Sequence, residues 1–270
     1  MKVDMFHIGP QKTATTWFFD AIRHHPDVAV PPKDSVHYFD MHYLRGEDWY
    51  HGLFPTGNFT RYLDPTPSHI RDHDAAKRIH AYNPDARIII SARHPVERAF
   101  SHYWHEKKKL KIGFSFEEVF ENYDLFDTWV LPGMYAGHYR RYAELFGEEN
   151  VFIGFFDDVS ANPQKLMDEI CDFVGISRFE RPDLFARRVN VAGERKSKRR
   201  KAADKIMMRY RLLRSVMKRY DRAMGRKTME TLADVDDRCI AKLYEVFEPD
   251  ILDLERISGR DLSAWRSKKW

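Results

Sequence analysis

The stretch MFHIGPQKTATTWFFDAIR, at positions 5–23, decides the fold of this chain. It opens with a short apolar run that stops at Gly9 and Pro10, two residues that favour turns. Its second half carries apolar residues at helical spacing, at Trp17, Phe18, Ala21 and Ile22. The stretch therefore predicts a strand over 5–8, a tight loop and a helix over 15–23.

The alternation of strand and helix continues along the chain. Further strands are predicted at 28–30, 61–64, 86–91 and 151–156. Further helices are predicted at 72–82, 95–109, 115–121, 132–146, 163–174 and 235–256. The 86–91 strand is apolar without polar alternation, which is typical of a parallel strand buried on both faces. Because parallel strands need crossover helices, the pattern predicts one α/β domain over 1–270, with a doubly wound parallel sheet between helices.

The composition is that of a globular protein. The 270 residues include 32% charged and 14% aromatic side chains, with a formal net charge of +4, and the mean hydropathy is −0.61. These values exclude an integral membrane protein and a disordered chain. The N-terminus lacks the apolar core of a signal peptide, so we expect a cytoplasmic protein. Cys171 and Cys239 lack neighbours at metal-ligand spacing, and we expect both to be reduced and buried.

The loop after the first strand predicts an anion site. Ligands of open α/β sheets bind outside the carboxyl ends of the strands, where this loop lies. Residues 9–16 supply the start of a helix with its free N–H groups, the side chain of Lys12, and three Thr hydroxyls. In the alternative interpretation Thr13 only caps the helix and Lys12 points into water.

The spacing in this loop differs from that of ordinary nucleotide triphosphatases. Gly9 precedes Lys12 by three positions and no Gly adjoins the Lys, unlike the Walker pattern. The 86–91 strand leads to Arg93 instead of the Asp that would hold Mg²⁺, and an Arg suits anion binding without a metal. Only the 151–156 strand leads to acids, Asp157 and Asp158. These acids keep a phosphotransferase possible, unless they only cap a helix.

Two separated motifs resemble those of the sulfotransferases that use 3′-phosphoadenosine 5′-phosphosulfate (PAPS). They read Gly9-Pro10-Gln11-Lys12-Thr13-x-Thr15-Thr16 and Arg93-x-Pro95-x-x-Arg98-Ala99-x-Ser101-x-Tyr103. The similarity covers nearly the whole chain and is strongest to the carbohydrate branch, which includes heparan-type N- and O-sulfotransferases, in a soluble, bacterial-like form. Shared segments lie at 36–40, 46–50, Thr66-Pro67, Gly133-Met134-Tyr135 and 259–265. The resemblance implies a P-loop-like sheet.

By this resemblance, one set of residues binds the 5′-phosphosulfate of PAPS, namely Gln11, Lys12, Thr13, Ala14, Thr15 and Thr16. Lys12 would reach the bridging oxygen, while Arg93 and Ser101 would bind the 3′-phosphate. A late loop would cover the nucleotide with Ser197, Lys198, Arg199 and Arg200, where Arg199 replaces the Gly of the family. PAPS is then the cosubstrate, PAP the product, and no metal is required.

The sequence offers two candidates for the catalytic base. The family places a Glu where this chain has Ser35, but one extra residue before the aromatic pair could bring Asp34 to that place. His37 is the second candidate base, because its unperturbed pKa suits proton transfer. In the alternative interpretations Asp34 only pairs with Lys33 on the surface, and His37 is a structural histidine. Pro65 replaces the family's Lys before Thr66-Pro67, so the mode of acceptor binding does not carry over.

A basic segment at 195–227 has fifteen Lys and Arg against two Asp. Within it, 202–224 predicts a cationic amphipathic helix. It is interpreted as a lid on the acceptor cleft, a membrane-surface helix, or a solvated helix without a role. No nucleic-acid reader motif accompanies it, so we expect no nucleic-acid partner. No apolar stretch comes near the roughly 20 residues that a membrane span needs, so we expect no membrane span. The histidines show no metal-ligand spacing, and we expect no metal site.

Together these observations predict a sulfotransferase. It would move a sulfuryl group from PAPS to a hydroxyl or amine of a carbohydrate-containing or other small acceptor. Two alternatives stay open at this point: a P-loop phosphotransferase or kinase, and a catalytically silent protein that binds PAP or PAPS, if Ser35 marks the loss of the base.

Overall fold

The structure is a computed structural model that describes residues 1–110, 113–185 and 232–266. The described parts of 1–189 and 237–270 form one compact unit that holds the whole sheet. Residues 232–236 belong to a second unit. The organisation of 1–270 as a single domain therefore stays a prediction.

The sheet has five parallel strands in the order β2-β3-β1-β4-β5. The strands are β1 (Met5–Gly9), β2 (Val28–Ala29), β3 (Arg61–Asp64), β4 (Arg87–Ala92) and β5 (Val151–Phe155). The strand order reverses direction beside β1, so the carboxyl ends of β1, β3 and β4 meet at the switch point where α/β proteins bind ligands. The predicted doubly wound parallel α/β fold is confirmed.

Helices connect and cover the strands. They are α1 (Thr15–Ile22), α2 (Glu47–His51), α3 (His73–Tyr82), α4 (Pro95–Leu110), α5 (Tyr123–Trp129), α6 (Tyr135–Phe146), α7 (Phe156–Ala161), α8 (Pro163–Val174), α9 (Pro182–Phe185) and α10 (Asp237–Ser258). Short 3-10 turns lie at Tyr43–Arg45, Glu117–Phe120, Leu131–Gly133, Glu148–Asn150, Leu232–Asp234 and Ser263–Arg266.

The sequence prediction is wrong in the region between α4 and α6. The helix predicted at 115–121 is only the 3-10 turn Glu117–Phe120, and α5 was not predicted. The Asn122 side chain accepts hydrogen bonds from the N–H groups of Asp124 and Leu125, so a new helix begins after it. The helix predicted from 132 begins at Tyr135, because Pro132 lies in the preceding 3-10 turn.

The main core lies between β1, β4 and the helices α1 and α8. All five residues of β1 are buried. Apolar side chains from both helices pack against the sheet, including Trp17, Phe18, Ile22, Leu166, Met167 and Ile170. Cys171 and Cys239 are both buried and form no disulfide, as expected. This packing fixes the strand ends from which the site residues project.

Candidate active site

The loop between β1 and α1 is tightly constrained. Gly9 has φ +96°, and a Cβ added there would lie 2.2 Å from the carbonyl oxygen of Pro67. Only glycine fits so close a contact between the ends of β1 and β3. Three described non-glycine residues also have positive φ: Lys12 (74°), Ala14 (67°) and His37 (54°). Such conformations concentrate at functional sites, and all three lie in the region predicted from the sequence.

The start of α1 has no side-chain cap. The N-cap residue is Ala14, whose side chain makes no cap hydrogen bond. The Thr13 hydroxyl donates to the carbonyl oxygen of Pro10 at 2.6 Å, so it does not cap the helix. The alternative interpretation of Thr13 as a simple cap is therefore wrong. The first N–H groups of α1 remain available to an anion.

Arg93 joins the second motif to the loop. It follows β4, and its Nη1 donates to the carbonyl oxygen of Lys12 at 3.4 Å. Its guanidinium lies over the ring of Phe156, 4.6 Å from the centroid, and its Nη2 pairs with Glu97 at 2.9 Å. Two segments far apart in the sequence thus place two cations together. Ser101 lies on α4, about two turns beyond Arg93.

The surroundings of Lys12 are cationic. Burial lowers the pKa of Lys12, and the charges of Arg93 and Lys108 lower it further. Burial also lowers the pKa of His105, with Lys12 as the next cause. Ser101, His105 and Lys108 share one face of α4, because they are four and three residues apart. The sequence analysis missed His105 and Lys108, although their spacing from Ser101 is a signal that could have found them.

The remaining residues of the loop between β1 and α1 add further features of an anion site. The Oε1 of Gln11 is buried and makes no hydrogen bond within the described residues. Thr15 and Thr16 begin α1. Beside the loop lies a small cavity of about 20 Å³, whose walls include Thr13, Ala14, Trp17, Phe155 and Phe156. An uncapped helix start and an unpaired buried amide suit an anionic ligand.

On the other side of β1, His37 is held by two side chains. Its Nδ1 lies 3.1 Å from Asp40 Oδ2 and 3.1 Å from the hydroxyl of Ser68. The Ser68 hydroxyl also donates to Asp40 at 2.5 Å. The Thr66 hydroxyl accepts hydrogen bonds from the backbone N–H groups of Val36 and His37, at 3.0 and 3.3 Å. The His37 side chain is one-third exposed, at 33%.

These contacts change the acidity of both groups. The hydrogen bond to Asp40 raises the pKa of His37, burial opposes the rise, and the charges of Asp40, Asp64 and Asp34 add to it. Burial alone would raise the pKa of Asp40. The hydrogen bonds from His37 and Ser68 and the nearby charge of His69 outweigh burial and hold that pKa well below its usual range. His37 and Asp40 therefore form a polarised pair.

The other candidate base has no comparable support. Asp34 is exposed. The Ser35 hydroxyl donates at 2.7 Å to the backbone carbonyl oxygen of Asp34 and not to its carboxylate. Within the described residues the Asp34 carboxylate makes no hydrogen bond, and it makes no ion pair with Lys33. It acts on His37 only through its charge. The sequence analysis missed Asp40, although the spacing His37-x-x-Asp40 was visible inside a shared segment.

Both halves of the site meet at the same edge of the sheet. Thr66 and Ser68, which hold His37, flank Pro67, which touches Gly9. The strands β3 and β1 are neighbours, so their carboxyl ends place His37 beside the loop that carries Lys12. A proton acceptor and a cationic anion site at one sheet edge can support transfer of an anionic group to a hydroxyl.

Some predictions concern residues outside those described. They include Ser197, Lys198, Arg199 and Arg200, and the amphipathic helix at 202–224. The described part of the chain contains no group of three or more His, Cys, Asp or Glu side chains placed to hold a metal ion. Among the described helices, none is both long and apolar enough to cross a membrane.

Comparisons with known proteins identify the family of this chain. The family model "Sulfotransferase domain" matches residues 2–230. Heparan sulfate glucosamine 3-O-sulfotransferase 6 of Mus musculus is 31% identical over 179 residues, which are 63% of this chain and 52% of that protein. Bifunctional heparan sulfate N-deacetylase/N-sulfotransferase 3 of Mus musculus is 32% identical over 190 residues, 63% of this chain and 22% of that protein. The chain thus spans about half or less of the length of these relatives.

A solved structure supports the fold. The sulfotransferase from Alicyclobacillus acidocaldarius superposes with a TM-score of 0.72 at 24% identity, and the match covers 99% of this chain and 100% of that one. At this identity the likeness concerns the fold alone. The family model, which matches most of the chain and includes both motifs, decides the assignment. The chain belongs to the sulfotransferase family.

Proposed function

We propose that this protein transfers a sulfuryl group from PAPS to a hydroxyl or amine of a carbohydrate-containing or other small acceptor. The observation that carries the proposal is the contact between Arg93 and the backbone of Lys12, which joins the two motifs into one cationic site. Membership of the sulfotransferase family supports the same reaction. The two relatives named for heparan sulfate favour a carbohydrate acceptor.

The donor would be held by the loop and by α4. The N–H groups at the start of α1 and the side chains of 11–16 would bind the 5′-phosphosulfate. Arg93 and Ser101 would bind the 3′-phosphate. No metal is needed for this binding, since Lys12 and Arg93 supply the positive charge.

His37 is the base in this proposal. With Nδ1 donating to the Asp40 carboxylate, Nε2 carries the lone pair and would accept the proton. The acceptor oxygen forms a bond to sulfur as the bond from sulfur to the bridging oxygen breaks. The electron pair of the broken bond stays on the phosphate of PAP, where Lys12 stabilises it. The acceptor proton passes to Nε2 of His37, which balances the step.

Calorimetry tests the proposal. PAP would be titrated into metal-free wild-type protein and into a Lys12→Ala/Arg93→Ala double variant, with ATP titrated in parallel. We expect micromolar binding of PAP to the wild type, loss of that binding in the variant, and much weaker binding of ATP. Equal ATP binding that requires Mg²⁺ would favour a phosphotransferase. Tight PAP binding without transfer to any acceptor would favour a silent binding protein.

A further inference from the structure

The segment Gly133-Met134-Tyr135 takes no part in the reaction above, yet it touches the donor site. The Tyr135 hydroxyl donates to the backbone carbonyl oxygen of Arg93 at 2.7 Å. The same hydroxyl accepts a hydrogen bond from the backbone N–H of Arg93 at 3.1 Å. One side chain thus binds both backbone polar groups of the arginine that reaches the loop.

Arg93 needs such a partner because of its place in the chain. Ala92, the last residue of β4, still pairs with Phe155 of β5. Helix α4 begins at Pro95. The backbone N–H and carbonyl of Arg93 therefore lie beyond the strand ladder and before the helix, where regular structure does not satisfy them. The Tyr135 hydroxyl replaces the missing strand partner.

Tyr135 is itself fixed in place. Its side chain is fully buried, and burial raises its pKa to about 12, so the hydroxyl keeps its proton and can donate. Asp250 of α10 accepts hydrogen bonds at 3.0 and 2.9 Å from the N–H groups of Ala136 and Gly137, which follow Tyr135. A Cβ added at Gly133 would lie 3.0 Å from the Phe247 ring and 3.2 Å from Pro95.

We infer that Tyr135 is a positioning residue for the donor site: it fixes the main chain of Arg93, so that the guanidinium is directed at the 3′-phosphate. This inference rests on the proposed function. Tyr135 does not contact the ligand and acts only through Arg93. The Arg93 side chain contacts the loop, α4 and α7. The position of the Arg93 backbone determines which of these groups the guanidinium can reach.

The test compares two ligands that differ in the 3′-phosphate. Tyr135→Phe removes one hydroxyl and keeps the ring. We expect the Kd of PAP to rise about tenfold and the Kd of adenosine 5′-monophosphate to change by less than about twofold, since that ligand has no group for Arg93. We expect the Arg93→Ala/Tyr135→Phe double variant to bind PAP as weakly as Arg93→Ala alone.

Two further variants protect the test. Tyr142→Phe is the matched control, because Tyr142 is also buried on α6 and donates to a backbone carbonyl, that of His69, at 3.0 Å. It should leave the Kd of PAP unchanged. Gly133→Ala keeps the hydroxyl but pushes the segment away from Phe247, and it should weaken PAP binding about threefold. If Tyr135→Phe does not fold, Gly133→Ala carries the test.

The outcomes separate the two proposals. If the wild type does not bind PAP, the proposed function is overturned and the inference with it. If the wild type binds PAP but Tyr135→Phe binds it equally well, only the inference is overturned. The same holds if Tyr135→Phe weakens both ligands equally, or if its effect adds to that of Arg93→Ala, because Tyr135 would then stabilise the fold and not Arg93. Melting temperatures of all variants accompany the titrations.

Discussion

At the scale of single residues, His37 combines an unusual backbone with a fixed side chain. A non-glycine residue at φ 54° costs roughly 1–2 kcal/mol, so its surroundings must hold it there. Thr66 does so by accepting the backbone N–H, and Asp40 and Ser68 hold the ring. In the proposed reaction these contacts leave Nε2 to accept the proton, which links the local strain to the proposed chemistry.

The first prediction concerns the two candidate bases. We expect His37→Asn to lower kcat about 100-fold or more, because the acceptor proton then has no positioned acceptor. Asp34→Asn should change kcat less than about threefold, because its carboxylate is exposed and unbonded within the described residues. Both variants should keep wild-type affinity for PAP. The opposite order of kcat losses would assign the base to Asp34.

The second prediction concerns pH. Asp40 raises the pKa of His37, and only neutral His37 can accept a proton, so kcat should rise with pH through a midpoint above about 6.5. Asp40→Asn removes the charge that favours the imidazolium. The midpoint should then move down by about one pH unit, with a lower plateau rate because the base is weaker. A midpoint that stays in place would separate Asp40 from the base.

The residues of the site differ in how visible they are in the sequence. Lys12 and Arg93 stand in continuous motifs with known spacing, and the structure brings them into contact. The partner role of Asp40 depends on Ser68, which another strand brings to it. Lys108 depends on a helix that continues past Ser101 toward Lys12. The spacing of Asp40 from His37 and of Lys108 from Ser101 is visible in the sequence, whereas the contacts that Ser68 and Lys12 make with these residues join distant segments and cannot be obtained from local spacing.

At the scale of elements, helix α6 depends on helix α10. The N-cap residue of α6, Met134, provides no side-chain cap. The buried Asp250 of α10 supplies the missing acceptor for the first N–H groups of α6. Local sequence rules look for the cap next to the helix, so they could not predict this one. They did predict α3, where Asp72 caps its own helix.

The third prediction tests this cap. Asp250→Ala should lower the free energy of unfolding by about 2 kcal/mol, since a buried and a partly buried N–H group lose their acceptor. Asp253→Ala is the matched control: Asp253 lies on the same helix and pairs with Arg140 of α6, but on the surface. It should destabilise the protein clearly less. Urea denaturation of both variants gives the comparison, and equal losses would contradict the capping role.

At the scale of the whole molecule, several buried histidines are neutral in the folded protein. Burial lowers the pKa of His7 to about 3. Burial, followed by the charge of Arg141, lowers the pKa of His138 to about 3. Burial and the charge of Arg98 hold the pKa of His102 well below its usual range. In the unfolded chain each would titrate near 6.5.

The fourth prediction follows from these histidines. Between about pH 6.5 and pH 3 the unfolded chain binds protons that folded His7 and His138 do not, so stability must fall as the pH falls. Together these two histidines should lower the free energy of unfolding by about 2 kcal/mol between pH 6 and pH 5. His37 has the opposite effect, because its pKa is raised in the fold. Its contribution to stability is complete below about pH 6.5 and is lost as the pH rises through its folded pKa.

Denaturation at several pH values checks the acid sensitivity. A His7→Asn/His138→Gln double variant should lose about 2 kcal/mol of the change in stability between pH 6 and pH 5, and the part due to His102 should remain. An unchanged slope would show that other groups cause the loss.

The position of β1 in the sheet also affects how the chain is made. Met5 pairs with Leu63 on one side and with Arg87 on the other, so β1 lies between strands that follow much later in the sequence. During synthesis, at about 5–20 residues per second, β1 cannot form its strand pairs until β3 and β4 have left the ribosome. The loop that holds Lys12 is made before Arg93 and Tyr135, so its contact with Arg93 forms only after a much later part of the chain has been made.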